Sequence, residues 1–117
     1  LEFFAWGAKV WVCAGSNFLP GEHLALYRAC VLENDFCKGR RIMSAMLPLM
    51  WVLEQGGKLV QCVKYGCEIV GVPGGPPRPP LRPLTKDDKR LMDETVRTLK
   101  RTIAGILAEE PGATPAL

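Results

Sequence analysis

Apolar positions recur at helical spacing over most of this chain, with one short exception near its start. Residues 1–6 read as the tail of a helix closed by Gly7, a residue suited to the left-handed backbone that ends helices. Residues 10–14, "VWVCA", form a continuous apolar run stopped by Gly15-Ser16-Asn17, the pattern of a strand buried on both faces. Pro20 suits the first turn of a helix running to about residue 33, with Leu24, Tyr27 and Val31 at helical spacing. Asn34-Asp35 breaks that helix and caps the next, expected over 36–55. There Met43, Met46, Leu47, Met50 and Leu53 share one face, and Ile42, Leu49 and Val52 share another, so burial from two sides follows. Pro48 is expected to kink it. Gly56-Gly57 ends it, and residues 58–70 make a shorter helix with Leu59, Val63 and Cys67 inward. The stretch "GVPGGPPRPPLRPL", 71–84, holds six of the ten prolines and suits neither helix nor central strand. Thr85 and Asp88 form an N-terminal capping pattern for a last helix over 86–109. Its stripe is Leu91, Met92, Val96, Leu99, Ile103, Ile106 and Leu107, and Pro111 is expected to stop it ahead of a frayed end.

One strand cannot stand alone. Its backbone N–H and C=O groups need partners, and burying them unpaired costs more than a short apolar run returns. A sheet of βα units needs several repeats, and the pattern here contains one. The chain is therefore expected to be a piece of a larger fold.

Composition narrows the chemistry. At 117 residues with 48% apolar side chains, a real core is possible and disorder is not the expectation. Fifteen basic and twelve acidic side chains leave a net charge of +3 with no polybasic block, so nothing argues for nucleic acid or an anionic membrane. Arg90, Arg97, Lys100 and Arg101 are interleaved with Asp87, Asp88, Asp93 and Glu94, which describes a solvated, salt-bridged face. No apolar run is long enough to span a bilayer as a helix. Five cysteines at irregular spacing, four of them in apolar stretches, read as reduced thiols in a cytoplasmic protein. His23 is the single histidine and no C-x-x-C pair occurs, so no metal site is expected.

The motifs "GAKVWVCAGSNFLP" and "VKYGCEIVGVPGGPPRPPLRPL" resemble the C-terminal part of the dihydrodipicolinate synthase / N-acetylneuraminate lyase family. The first is similar to that family's eighth strand and following loop. The second is similar to its lysine-containing helix, Gly-Val-Pro turn and Arg-x-Pro-Leu exit. The resemblance covers essentially the whole chain. It implies an α/β fold class: a fragment of a (β/α)8 TIM barrel, the last helix-strand-helix in residues 1–34. A mostly helical C-terminal region follows in 35–117, with a proline-rich strap at 71–84. The missing staves would be the first seven strands.

The resemblance also implies chemistry. The family's reaction starts when a lysine amine condenses with a 2-keto acid, usually pyruvate, to form a Schiff base. Such a lysine must shed its proton in a dry pocket. The family places that lysine, a proton-relaying tyrosine and a Gly-Thr-Thr carboxylate loop on earlier strands. None falls in the matched region, so no catalytic residue is expected here; the lysine and tyrosine would lie upstream of Leu1. Lys64 and Tyr65 are neighbours on one helix and point about 100° apart, so they do not converge on a substrate atom. Lys9 lies at the N-terminal end of the strand, the stability face of a barrel.

Substrate-pocket residues are expected at the strand's C-terminal end. Val12 occupies the place of an apolar residue that lies near the keto-acid adduct in the family, where it would keep the Schiff base dry. Gly15, Ser16 and Asn17 follow at the mouth as pocket residues; Ser16 would contact substrate and Asn17 would cap the next helix, while a simple turn accounts for both equally well. No cofactor and no metal are implied. The partners implied are a small 2-keto acid and further copies of the chain, a tetramer by resemblance. The sequence departs from the family pattern at Val10, which replaces a glycine, at Cys13, which replaces a serine, and at the bulky Trp11. Those changes weaken the expectation of a lysine-biosynthesis synthase and leave room for aldolases, dehydratases or deaminases of sugar-acid or hydroxyproline-derived keto acids. The competing reading is an autonomous helical interaction module, because "PRPPLR" at 77–82 fits a P-x-x-P-x-R peptide motif.

Overall fold

The computed structural model describes residues 1–109. Five α-helices account for most of them: α1 (Glu2–Ala5), α2 (Pro20–Tyr27), α3 (Phe36–Gln55), α4 (Leu59–Ile69) and α5 (Lys86–Ala108). The expected stop at Pro111 and the residues after it lie outside the described residues. No strand forms among the described residues. Residues 8–13 are extended, with Cys13 at φ −143°, ψ 129°, and then tighten into a 3-10 turn, Ala14–Asn17. The strand expected over 10–14 thus appears as an extended segment without a ladder. A strand is defined by its neighbours, and here it has none to pair with. Ala14, expected at its end, belongs to the turn instead.

The helix boundaries follow local chemistry. Gly7, at φ +94°, turns the chain out of α1 while its N–H and that of Ala8 bond the Phe4 and Phe3 carbonyls at 3.0 and 2.9 Å. α2 begins at Pro20 and widens at its end into a π turn, Arg28–Leu32, where the Glu33 N–H reaches the Arg28 carbonyl at 2.9 Å. Asn34 takes φ +55°, and the Asp35 carboxylate accepts from the Lys38 N–H at 2.9 Å to cap α3. α3 continues without interruption through Pro48. Thr85 and Asp88 complete a reciprocal capping box at the start of α5.

The core lies between these helices and is built chiefly by Leu26, Ile42, Met46, Leu49, Met92, Leu99 and Ile103. Several inward faces differ from the expected ones. In α2 the buried residues are His23, Ala25 and Leu26, continued by Ala29 and Cys30, while Leu24 is exposed. In α4 Gln61, Cys62 and Gly66 are buried and Leu59 is exposed. Leu47, Leu91 and Leu107 are exposed as well. Spacing places residues on a common face; which side meets the core depends on the other elements.

Two close approaches tie the end of the 3-10 turn and the strap to α4. The buried Phe18 ring lies directly on Gly66, where a Cβ would come within 2.7 Å of the ring. Gly74 lies on the Lys64 backbone, where a Cβ would stand 3.0 Å from its Cα and carbonyl oxygen. Lys64 Nζ donates to the Gly74 carbonyl at 2.5 Å, and Gln61 Nε2 donates to the Arg82 carbonyl at 3.3 Å. Lys64 is therefore a tether for the proline-rich stretch. Its neighbour Tyr65 points elsewhere, donating to the Asp93 carboxylate at 3.1 Å.

Candidate functional site

The extended segment has two faces, and they differ sharply. Val10 and Val12 are 86% and 99% exposed, whereas Trp11 and Cys13 turn toward the helices and are partly buried. This period of two is the side-chain alternation of a strand, kept even without a ladder. Trp11 packs edge-on to Phe4, with ring centroids 5.8 Å apart, and lies 5.2 Å from the His23 ring. Tyr27, also edge-on to Phe4, donates its hydroxyl to the Lys9 carbonyl at 3.1 Å. The segment is thus fastened to α2 along one face and bare along the other.

The four residues expected at a substrate pocket cluster at the end of this segment but do not share one surface. Val12 stands on the bare face. Gly15 is buried beneath His23: a Cβ there would meet ring Cε1 and Nε2 at 2.8 Å. Ser16 is exposed and donates its hydroxyl to the Cys13 carbonyl at 2.6 Å. Asn17 is exposed and donates Nδ2 to the Ala14 carbonyl at 2.8 Å. Asn17 does not cap α2; that place belongs to Leu19, because Asn17 spends its side chain closing the 3-10 turn.

His23 and Cys13 form a further constellation that spacing did not announce. His23 is only 5% exposed, and its Nδ1 lies 2.7 Å from the Leu19 carbonyl. A carbonyl oxygen can only accept, so Nδ1 carries a proton and the neutral ring keeps its lone pair on Nε2. Burial works against a charged Cys13, but His23 and the N–H groups of Gly15 and Ser16 outweigh it and hold the thiol below its ordinary pKa. For His23, burial is likewise outweighed by Cys13, the Leu19 carbonyl and Glu22, so its pKa is raised. Both groups line an open groove of about 360 Å³, together with Lys9, Trp11, Ser16 and Tyr27. The sequence signal was slight: a cysteine before a Gly-Ser-Asn turn and the sole histidine on the first turn of the helix after it.

The chain is similar to proteins that make this resemblance concrete. It is 33% identical over 96 residues to a probable 5-dehydro-4-deoxyglucarate dehydratase of Acinetobacter baumannii, covering 81% of this chain and 32% of that protein. It is 33% identical over 103 residues to 4-hydroxy-tetrahydrodipicolinate synthase of Exiguobacterium sibiricum, covering 88% and 34%. It is 31% identical over 96 residues to 5-dehydro-4-deoxyglucarate dehydratase of Pseudomonas putida, covering 81% and an unchanged 32%. The chain belongs to the dihydrodipicolinate synthase / N-acetylneuraminate lyase family. It spans about a third of the length of the curated relatives it matches. No protein-family model matches the chain, and no solved structure does.

Among the described residues no three histidine, cysteine or acidic side chains come together as a metal site. None of the described helices is long and apolar enough to cross a membrane.

Proposed function

We propose that this chain supplies the eighth strand, its following helix and the C-terminal helices of a Schiff-base-forming lyase or synthase. In this reading the complete (β/α)8 barrel acts on pyruvate or a related 2-keto acid by class I aldolase chemistry. The reactive lysine, the proton-relaying tyrosine and the carboxylate-binding loop come from earlier strands, and the 117 residues alone are inactive. The observation that carries the reading is the bare Val10/Val12 face opposite the fastened Trp11/Cys13 face. Two exposed valines on an unpaired extended segment are costly in water and natural inside a barrel.

Val12 then lines the lumen near the adduct and excludes water from it. Gly15, Ser16 and Asn17 form the mouth, where the Ser16 hydroxyl swings from the Cys13 carbonyl to substrate. Dehydratases of a sugar-acid derivative recur among the relatives, which favours dehydration of a sugar-acid keto acid over condensation. A cytoplasmic homo-oligomer, tetrameric by analogy with the family, completes the proposal; five free cysteines suit a reducing compartment.

Borohydride reduction in the presence of pyruvate, followed by intact-mass analysis, tests it. The full-length protein should gain one covalent adduct per chain, located on a lysine outside these 117 residues. The 117-residue chain should gain none. A full-length protein that traps no 2-keto acid, or an adduct on Lys64 or Lys9, would overturn the proposal.

A further inference from the structure

The groove between the extended segment and α2 holds a nucleophile, a base and a group that orients the base. Cys13 Sγ lines it. His23 is nineteen-twentieths buried, its Nδ1–H is committed to the Leu19 carbonyl, and its Nε2 lone pair has no carbonyl or hydroxyl partner. The Gly15 backbone is where the two converge: a Cβ added there would lie 2.8 Å from Nε2 and 3.8 Å from Cys13 Sγ. The backbone N–H groups of Gly15 and Ser16 favour negative charge on the sulfur. A base hydrogen-bonded on its far side and lining one open groove with a thiol is the arrangement of an activated cysteine nucleophile.

We propose that Cys13, with His23 as its base and the Leu19 carbonyl as the orienting group, is a modification site for small peroxides. In the reaction, Nε2 takes the Sγ proton and the thiolate attacks one peroxide oxygen. The S–O bond forms as the O–O bond breaks, and the departing hydroxide takes the proton from the imidazolium and leaves as water. Cys13 is oxidised by two electrons to a sulfenic acid and the peroxide is reduced. The other thiols lack this setting. Burial raises the Cys30 and Cys62 thiols, Cys37 is exposed and accepts from the Arg40 guanidinium at 3.5 Å with no imidazole beside it, and Cys67 packs against the core with its thiol 3.9 Å from the Asn17 carbonyl. Cys13 and His23 lie on the helix-facing side of the segment, away from Val12, while Val10 borders the same groove.

The test uses the full-length protein. Limiting hydrogen peroxide with a dimedone-type trap, followed by peptide mass analysis, should label Cys13 ahead of the other four cysteines. The rate of Cys13 alkylation by iodoacetamide against pH should have its midpoint below about 8.5, the ordinary thiol value. Lys9, Glu22 and Tyr27 are the other titratable groups around the pair, and Glu22 acts on His23 through charge. In His23→Asn the side-chain amide can keep the bond to Leu19 while the base is lost. The rate at neutral pH should then fall about tenfold or more, and the midpoint should rise. Labelling of Cys37 before Cys13, an ordinary Cys13 midpoint in the unsubstituted protein, or a folded His23→Asn with an unchanged profile would each overturn the proposal. The pH profile of the unsubstituted protein decides the matter even where the variant does not fold.

Discussion

Replacing Val12 with aspartate separates a side chain that is idle from one that is waiting for neighbours. In the 117-residue chain Val12 is 99% exposed and touches no core residue, so the substitution should shift the unfolding free energy by no more than about 0.5 kcal/mol. In a complete barrel the same position would be enclosed. Losing a buried valine forfeits about 1.5–3 kcal/mol of transfer free energy. An unpaired carboxylate in its place adds a desolvation cost of several kcal/mol, or escapes it by holding a proton. The sum, about 4 kcal/mol or more, is a large part of the usual 5–15 kcal/mol of a folded domain. Leu26→Ala is the control: Leu26 is fully buried among the helices, so its loss should cost about 2–5 kcal/mol in both settings. Urea denaturation of the four variant proteins against their two parents, with Schiff-base trapping on the full-length set, supplies the comparison. If Val12→Asp cost the short chain as much as Leu26→Ala, or left the full-length protein as stable and as reactive as before, the barrel-stave reasoning would be refuted.

Two further outcomes concern the helical region. Gly66→Ala places a methyl 2.7 Å from the Phe18 ring, so the turn carrying Ser16 and Asn17 must shift; a loss of about 1–3 kcal/mol in thermal unfolding is expected. Asp88 has its pKa lowered from 3.8 to about 2 by Lys58 first and by Thr85 second. A depressed carboxylate contributes stability that is present above its unfolded pKa and lost as pH falls through the folded one. The stability gap between the parent and Asp88→Asn should therefore be full at about pH 5 and should close as pH falls toward about 2. A gap that does not change with pH would show that Lys58 and Thr85 do not act through the charge.

Much of the helical layout was legible along the chain, because caps and breakers act within a few residues. Asp35 and Thr85 start α3 and α5 where expected, and Gly7 and Asn34 turn the chain where a left-handed backbone is needed. Faces were less legible. The α5 stripe contained the true core residues with Leu91 and Leu107 added; in α4 Val63 and Cys67 pack against the core as expected, but Leu59 is exposed and Gln61, Cys62 and Gly66 are buried. Gly66 is inward because Phe18, 48 positions earlier, needs its bare Cα to lie against.

The amino-acid order by itself determined where helices begin and end, that the 10–14 run lacked partners, and which family the motifs resemble. Those are matters of local hydrogen bonding, backbone preference and residue pattern, which operate over short stretches. Tertiary structure alone decided that Cys13 and not Val12 faces the helices, that Gly15 lies under a histidine, and that this histidine carries its proton on the nitrogen bonded to the Leu19 carbonyl. Those depend on which surfaces meet and which carbonyl lies within reach, relations between residues that only packing brings together.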